Sequence, residues 1–289
     1  MECLELQIPP LPQLVTAGHA VWRPGMQHFR RSFAVYDMIF IRSGTFYMTE
    51  EDREYTLRAG DLLTLEPGKT HWGHHPVDTF TDVYWIHFVH SCQPRLVDSG
   101  DIPWSQVFPS GTDADLAPVP QLMYVPKHAR LDLDMLTPLL DEIILLHRSL
   151  TLRNALRVHA LAGELFNRLQ SQISARVRSR AYWLCERVIQ YLHEHVSEPF
   201  DSRHMERELH YDFDYMSRCL KQYTNMTPLQ YKHHLQIERA KSLLLQTDLS
   251  VKEIAERAGQ PDSNYFVRLF RKHVGVSPGR YRSLYREVL

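Results

Sequence analysis

Residues 248–282 read DLSVKEIAERAGQPDSNYFVRLFRKHVGVSPGRYR and carry the strongest structural signal in the chain. Asp248 or Ser250 can cap a first helix, in which apolar residues recur at helical spacing. The turn residues 259–261 interrupt that pattern, and a second amphipathic helix begins near Asp262. The segment therefore predicts a helix-turn-helix, whose second helix is free to enter a major groove of DNA.

The second helix of this motif divides its residues between two faces. The face predicted to be buried comprises Phe266, Leu269, Phe270 and His273. The face predicted to contact DNA comprises Ser263, Asn264, Val267, Arg268, Arg271 and Lys272. Arginine suits guanine, asparagine suits adenine and lysine suits phosphate, so this mixture is typical of a helix that reads bases.

An ordinary amphipathic hairpin would show the same periodicity, but here the match extends to individual residues. Residues 248–282 resemble the C-terminal signature of the AraC/XylS family of bacterial transcription regulators in D-L-S-V-K-E-I-A, A-G, Y-F, R-L-F and G-V-S-P-x-x-Y-R. One departure is Gln260, where the family usually has phenylalanine. We expect Gln260 to loosen or redirect the turn.

A related unit lies upstream, in the sequence EPFDSRHMERELHYDFDYMSRCLKQYTNMTPLQY. Asp201 and Asp212 are its predicted N-caps. The outward residues predicted to contact DNA are Asp214, Ser217, Arg218 and Lys221. Glu206 and His210 stand where the downstream unit has alanine and glycine, so this unit should be the less regular one. Because a buried carboxylate is costly unless paired, we expect Glu206 to turn outward or to bond a neighbour.

One continuous helix is predicted between the two units, over residues 227–246. Its two apolar faces consist of Tyr231 and Leu235 on one side and Ile237, Ala240 and Leu244 on the other. A helix with two apolar faces fits between two lobes. It would hold both recognition helices so that they reach successive major grooves, about 34 Å apart.

The composition is that of a globular protein with room for two domains. Its 289 residues are 44% hydrophobic, and no apolar run approaches the roughly 18 residues of a membrane span. The amino terminus, MECLELQIPP, lacks the basic and apolar segments of a signal peptide, so we expect a cytoplasmic protein. Reduced thiols are expected at four cysteines without metal-ligand or redox spacing, namely Cys3, Cys92, Cys185 and Cys219.

Charge is distributed unevenly along the chain. Residues 178–289 carry 18 Lys and Arg against 14 Asp and Glu, a net of +4, whereas the preceding residues carry 15 against 20, a net of −5. This modest basic excess favours a nucleic-acid partner for the carboxyl-terminal half.

The amino-terminal half has the two-residue periodicity of strands over residues 32–89, with glycine and proline turns between them. Many short strands predict a β-sandwich or jelly roll. Residues 60–75, GDLLTLEPGKTHWGHH, resemble the second conserved stretch of cupins. We therefore predict an α+β chain with a cupin-like effector-sensing β-barrel and N-terminal arm at 1–134, a helical dimerisation and linker segment at 135–176, and an all-α double helix-turn-helix domain at 177–289.

A metal-dependent cupin enzyme is the first alternative, with His71, His74 and His75 as ligands. Against it, the companion cupin stretch has no counterpart between residues 44 and 60. A catalytic metal needs about three convergent protein ligands, which neighbouring loop histidines rarely supply. The chain also lacks a Ser/His/Asp or Cys/His arrangement and a phosphate loop, so no catalytic residue, metal or cofactor is predicted.

Residues 36–88 resemble the sugar-sensing domain of the AraC/XylS family more closely. On that resemblance Arg42 and Trp85 contact a carbohydrate, the guanidinium through hydroxyl groups and the indole through its apolar face. His87, on the same side of its strand as Trp85, and His71 complete the predicted effector site. The alternative for Arg42 and Trp85 is a surface arginine and a core indole.

Two further features bear on the predicted cavity. Gly73 and Val83 replace a tyrosine and a histidine of the arabinose-binding version of this domain, so the cavity should be larger or less polar. Residues 9–23 are too proline-rich for a helix. The resemblance implies that they form an arm able to close over the cavity.

Two helices are predicted between the halves, the first beginning at Pro138. Their apolar stripes consist of Leu139, Ile143, Leu146 and Leu150, and of Leu152, Leu156, His159, Gly163, Phe166 and Leu169. Family members commonly dimerise through helices in this position, and the alternative is that both stripes pack on the barrel. Residues 170–180, which are polar and basic, are the predicted linker.

The family resemblance implies a dimeric, ligand-responsive regulator that usually activates transcription. Its implied partners are double-stranded promoter DNA, RNA polymerase, a second copy of the chain and a small-molecule effector, expected to be a sugar. A second alternative is a DNA-binding regulator whose barrel only dimerises.

Overall fold

A computed structural model describes residues 1–91, 94–108, 117–176 and 180–286. Of these, residues 1–91, 94–101 and 118–176 form a first unit, and residues 102–108, 117 and 180–286 form a second. The predicted boundary at Val177 and one predicted free thiol, Cys92, lie outside the described residues. The other three cysteines, Cys3, Cys185 and Cys219, are buried and free.

Antiparallel strands build the first unit, as the alternating sequence predicts. In chain order they are β1 (Glu2–Ile8), β2 (Gln13–Trp22), β3 (Tyr36–Ser43), β4 (Thr45–Glu50), β5 (Arg53–Arg58), β6 (Asp61–Leu65), β7 (His71–Trp72), β8 (Thr81–Val89), β9 (Arg95–Asp98), β10 (Gln121–Pro126) and β11 (His128–Arg130). Their sheet orders are β10-β1-β9, β11-β6-β3-β8-β2 and β5-β4-β7. The predicted β-rich, cupin-like architecture is confirmed.

Two helices, α1 (Thr137–Arg148) and α2 (Ala155–Arg176), pack against β2 and β10. Ile143 and Leu169 from the predicted stripes join the barrel core, so these inner residues pack on the barrel. The predicted linker is wrong over residues 170–176, which continue α2. Ile173 is buried there and extends the apolar stripe of the helix by one turn.

Most of the predicted arm at residues 9–23 is a strand of the sheet. Residues 2–8 form β1, which lies between β9 and β10. Residues 13–22 form β2, which is the edge strand next to β8. The prolines fall between these two strands, where missing N–H groups cost the ladder nothing. Trp22 at the end of β2 is therefore held by the sheet and not by a mobile segment.

Helices build the second unit. They are α3 (Arg180–Glu194), α4 (Ser202–Leu209), α5 (Phe213–Thr224), α6 (Pro228–Gln246), α7 (Val251–Arg257), α8 (Ser263–Val274) and α9 (Pro278–Arg286). The predicted N-caps Asp201, Asp212 and Ser250 each accept backbone N–H bonds in their helix's first turn, and so does Asp262, near which the last recognition helix was predicted to begin. Among the described helices, none combines the length and apolar character needed to cross a bilayer.

Helix α6 joins the two helix-turn-helix units, α4–α5 and α7–α8, as one uninterrupted helix. A capping box between Thr227 and Gln230 fixes its start. Tyr231 packs in the core of the first helix-turn-helix, whereas Ile237 and Leu244 pack in the core of the second helix-turn-helix. The predicted two-faced helix is confirmed, and each of its faces completes one lobe.

The two turns reach the same backbone shape from different residues. Gly259 has a φ of +87°, and His210, at the equivalent position of the first motif, has a φ of +59°. A left-handed conformation costs a non-glycine residue about 1 kcal/mol. Glu206 stabilises the turn at His210, because its Oε1 accepts a hydrogen bond from the Phe213 N–H at 2.8 Å. The expectation that Glu206 bonds a neighbour is thus confirmed.

Gln260 does not loosen its turn, contrary to expectation. Its backbone N–H donates to the Ala255 carbonyl at 2.8 Å, and its Nε2 donates to Gln236 Oε1 at 2.8 Å. Gln236 is a buried residue of α6 whose own Nε2 donates to the carbonyls of Val196 and Gly259, both at 3.0 Å. A pair of side-chain amides therefore occupies the place of the family's aromatic residue and ties the turn to α6.

Replacement of Gly259 by alanine tests this turn. A Cβ there would lie 2.5 Å from the Val196 carbonyl oxygen and 2.9 Å from Gln236 Nε2. We expect Gly259→Ala to lower the free energy of unfolding by about 2–4 kcal/mol, from the left-handed backbone and the clash together. Gly275→Ala is the matched control, since Gly275 has a φ of +83° but open space around its Cβ. It should lose only about 1 kcal/mol. Equal losses in urea unfolding would contradict the proposed tight contact.

Candidate nucleic-acid interface and barrel cavity

Recognition helix α8 exposes the residues predicted to face DNA. Asp262 anchors its first turn by accepting from the N–H groups of Asn264 and Tyr265 at 2.9 and 3.0 Å. The buried face consists of Phe266, Leu269 and Phe270. The predicted DNA-facing residues are all exposed or half-buried, namely Ser263, Asn264, Val267, Arg268, Arg271 and Lys272.

His273 departs from the sequence prediction, because it is exposed and not buried with the apolar face. Its Nδ1 lies 2.9 Å from the Leu269 carbonyl oxygen, one turn earlier. The outward side of α8 thus presents three full positive charges and no carboxylate. Such a surface can bind phosphate while its arginine and asparagine side chains reach base edges.

Recognition helix α5 repeats this arrangement with weaker charge. Asp212 accepts from the N–H groups of Asp214 and Tyr215 at 3.0 and 3.2 Å. The buried face consists of Met216, Cys219, Leu220 and Tyr223, and the outward face consists of Asp214, Ser217, Arg218 and Lys221. Because Asp214 offsets one of its two cations, α5 attracts a phosphate backbone less strongly than α8 does.

The first unit contains a cavity of about 320 Å³. Its walls are mainly apolar and aromatic, and they include Trp22, Met26, Phe29, Ile39, Phe46, Val83 and Trp85. Gly18 makes room for the indole of Trp85, since a Cβ at Gly18 would lie 2.1 Å from that ring. A volume of this size lies at the lower end of the range for small-molecule sites, so it fits a compact ligand.

A cluster of polar side chains lies at one side of this cavity. Asp37 is only 2% exposed, and its Oδ2 lies 3.4 Å from Arg31 Nη2 and 3.3 Å from His87 Nε2. Arg31 Nε also donates to Nε2 of the buried His71 at 3.1 Å. The second carboxylate oxygen, Asp37 Oδ1, has no hydrogen-bond partner among the described residues. A buried acceptor without a partner calls for a donor that enters from outside the chain.

The cavity carries little net charge. Burial is the largest cause that lowers the pKa of His28, to about 4, and nearby Arg31 lowers it further. Burial and Arg31 also lower the pKa of His71. Both imidazoles are therefore neutral at pH 7, and the opposite charges of Arg31 and Asp37 cancel. An uncharged ligand with hydrogen-bonding groups matches these electrostatics better than an ion does.

The predicted effector residues are only partly brought together. Trp85 and His87 line the cavity with Val83, as strand alternation predicts, and His71 lies buried behind Arg31. Arg42 is exposed and does not line the cavity, so the structure does not bring it together with the other predicted effector residues, and its position matches the alternative of a surface arginine. The register pairs Ile39 with Trp85 across β3 and β8 and is irregular between Ile41 and Ser43, where Arg42 lies.

Sequence reasoning missed Arg31, Asp37, His28 and Trp22. One signal for Asp37 was available, because it is a charged residue within the apolar strand YDMIFI and shares the face of Ile39. The loop positions of Arg31 and His28 follow from tertiary packing and have no periodic signal. These side chains, and not Arg42, supply the polar groups of the cavity.

The loop histidines do not converge as metal ligands would. His74 Nδ1 pairs with Thr49 Oγ1 at 2.9 Å, and His75 Nδ1 pairs with the Pro76 carbonyl oxygen at 2.7 Å. His71 is buried on the other side of the loop with Arg31. Within the part of the chain that the structure describes, no group of three or more His, Cys, Asp or Glu is placed to hold a metal.

Comparisons with known proteins match both units. The family described as AraC-like ligand binding domain matches residues 22–123, and the family described as helix-turn-helix domain matches residues 205–283. The chain is 30% identical to the uncharacterized HTH-type transcriptional regulator YisR of Bacillus subtilis, over 96% of each chain. It is 25% identical to the HTH-type transcriptional activator RhaS of Salmonella schwarzengrund, over 84% of this chain and 83% of that one.

A solved structure also resembles part of the chain. The C-terminal domain of AraT, a response regulator from Geobacillus stearothermophilus, is 34% identical over 37% of this chain and 88% of that one, with a TM-score of 0.35. The match with YisR extends through both units, from the strands to the paired helices.

Proposed function

Since the chain belongs to the AraC family of DNA-binding transcription regulators with a ligand-binding domain, we propose that it activates transcription from a promoter in response to a small carbohydrate. The observation that carries the DNA-binding part is the exposed face of α8, where Asn264, Arg268 and Arg271 stand clear of the core. Helix α6 holds α8 and α5 in one body, so that both can enter successive major grooves of the same duplex.

The proposal that the effector is a carbohydrate rests on the cavity chemistry. Vicinal hydroxyl groups can donate to Asp37 Oδ1 and accept from Arg31 at the same time. The aromatic walls, Trp22 and Trp85 in particular, suit the apolar face of a sugar ring. The absence of net charge disfavours ionic metabolites as ligands of this cavity.

Activation is proposed because the relative RhaS is described as a transcriptional activator. On this proposal the effector binds one conformation of the protein more tightly than the other, since unequal affinity is the only way in which a ligand shifts such an equilibrium. The favoured state then binds promoter DNA and contacts RNA polymerase. A protein that acts on chromosomal DNA would work in the cytoplasm.

A homodimer is also proposed, through the outer face of α1 and α2. Leu152 is 98% exposed and Leu156 is 81% exposed, and Leu145 and Leu150 are exposed on the same hairpin. Gly163, two turns beyond Leu156, has open space where a Cβ would stand, so another helix could approach closely. Exposed leucines that cluster in this way are typical of a protein interface. A second copy of the chain is the occupant that the proposed function requires.

Arg268→Ala tests base reading by α8. We expect binding to the promoter duplex to weaken by about 1–3 kcal/mol if the guanidinium reads a guanine. Arg187→Ala, which removes an exposed arginine of α3, is the charge-matched control and should leave the specific affinity within about twofold. Fluorescence anisotropy with the promoter fragment and a random duplex measures both. An equal loss on the two duplexes would reassign Arg268 to a phosphate contact.

Asp37→Asn tests the effector site. Among neutral sugars, polyols and charged metabolites, we expect a neutral sugar to raise the melting temperature of the wild-type protein. The variant should bind that sugar about 10- to 100-fold more weakly, because a hydrogen bond to a charged acceptor contributes about 1.5–3 kcal/mol. Asp52→Asn, at an exposed turn, is the control. If no metabolite stabilised the wild type, the barrel would be a dimerisation module only.

Leu152→Glu combined with Leu156→Glu tests the dimer. Introducing two carboxylates into the proposed interface should raise the dimer dissociation constant at least about tenfold, because charges would be buried without partners. Leu11→Glu places the same charge at another exposed leucine and should leave dimerisation unchanged. Sedimentation velocity gives the answer, and a wild-type protein that stays monomeric at micromolar concentration would refute the proposal.

A further inference from the structure

A second cavity, of about 490 Å³, lies within the paired helix-turn-helix unit. It is formed by the end of α5, the first two turns of α6 and the second half of α8. We call it the histidine cleft, and the residues that matter are Asn225, His233, His234, Arg268, Lys272 and His273. It adjoins the outward face of α8, because Arg268 and Lys272 belong to both surfaces.

The cleft is electropositive and has no carboxylate in its lining. Arg268 and Lys272 contribute fixed positive charges from α8. The first turns of α6 add the positive end of a helix dipole. A cavity with these features attracts an anion, and its open polar walls offer donors from several directions.

Charged groups around the cleft do not cancel this potential. On α6, Lys232 Nζ is occupied by the carbonyls of His195 and Glu198, at 2.8 and 2.5 Å. Glu238 faces His234 but pairs with Lys241 at 2.7 Å. His193 of α3 also faces His234 and would add positive charge if protonated.

The histidines of the cleft offer ring nitrogens to a bound anion. His273 Nδ1 lies 2.9 Å from the Leu269 carbonyl oxygen, so its Nε2 is the ring nitrogen that can contact a ligand. Burial first, and then the positive charges of His273, Lys232 and Lys272, lower the pKa of His233. A bound phosphate would reverse those charge effects and favour the protonated ring.

We infer that the histidine cleft binds a phosphodiester group of the DNA backbone where it passes between the two major grooves, and that His233 takes up a proton as it binds. This inference rests on the proposed DNA-binding function and adds a backbone contact beside the base-reading faces of α5 and α8, with Arg268 and Lys272 shared between the cleft and α8. The affinity for DNA then rises as pH falls, because the bound state holds more protons than the free state.

Full-length wild-type protein is titrated with a labelled promoter duplex at pH 8.0, 7.0 and 6.0 and at constant ionic strength. We expect the affinity to increase about tenfold between pH 8.0 and pH 6.0, which corresponds to an average uptake of about half a proton over that range. Calorimetry in buffers of different ionisation enthalpy counts those protons directly.

The double variant His233→Gln, His273→Gln is expected to bind like the wild type at pH 8.0, where the His233 imidazole is neutral, and to lose most of the gain at pH 6.0. Lys272→Gln should reduce the slope of log affinity against log salt by about 1. His75→Gln, at an exposed histidine of the first unit, is the control and should show the pH dependence of the wild type. Circular dichroism at each pH verifies folding, and His273→Gln alone, at an exposed position, serves if the double variant unfolds.

The outcomes separate the inference from the function on which it rests. A double variant with the pH dependence and proton uptake of the wild type would overturn the inference and leave DNA binding intact. Competition by millimolar inorganic phosphate, with no change in DNA affinity in the variants, would mark the cleft as a site for free anions and would overturn it too. A wild-type protein that binds no promoter duplex would refute the proposed function itself.

Discussion

The helical, DNA-binding unit depends on the hydrogen bonds of the Gln236 side-chain amide. Gln236 lies in the middle of α6 and is 1% exposed. Its Nε2 donates to two backbone carbonyl oxygens, and its Oε1 accepts from the Gln260 amide. Those partners belong to the segment after α3 and to the turn between α7 and α8. One turn earlier on α6, Lys232 binds two more carbonyls of the segment after α3. Because these polar groups are buried, any displacement of the turn would leave several of them unsatisfied.

This contact also explains why the turn requires glycine. The carbonyl of Gly259 approaches Gln236 so closely that a Cβ would collide with both Val196 and the amide. The first motif has no such constraint at His210, which adopts the left-handed conformation at a modest cost in energy. The same backbone turn is thus enforced by tight packing in one motif and tolerated as local strain in the other, where the Glu206 carboxylate bonds the start of α5.

Local patterns predicted much of the helical half and less of the barrel. The four caps and the two faces of α6 follow from short-range rules, because a cap acts within three residues and an apolar stripe repeats every turn. The role of Gln260 could not be read in this way, since its partner Gln236 lies 24 residues away. Strand β2 was also not predicted from the sequence. It is stabilised by its pairing with the distant strand β8, whereas the neighbouring prolines discourage regular structure. The position of Arg42 could not be read from alternation alone, because the pairing of β3 with β8 is irregular between Ile41 and Ser43.

The two cavities contain similar residue types, arginine and histidine, but differ in the charges that surround these residues. In the barrel, Arg31 faces the buried Asp37 carboxylate, and the neighbouring imidazoles His28 and His71 are kept neutral, so the cavity selects for hydrogen-bonding pattern and apolar contact. In the histidine cleft no carboxylate of the lining opposes Arg268 and Lys272. Burial first, and then nearby positive charge that includes Lys272, lowers the pKa of His233. A neutral ligand satisfies the first environment without changing its protonation, whereas an anion satisfies the second and draws protons into it. On the proposed function, the barrel therefore binds an uncharged effector through hydrogen bonds and apolar contact, and the pH dependence of DNA binding is expected to arise in the histidine cleft.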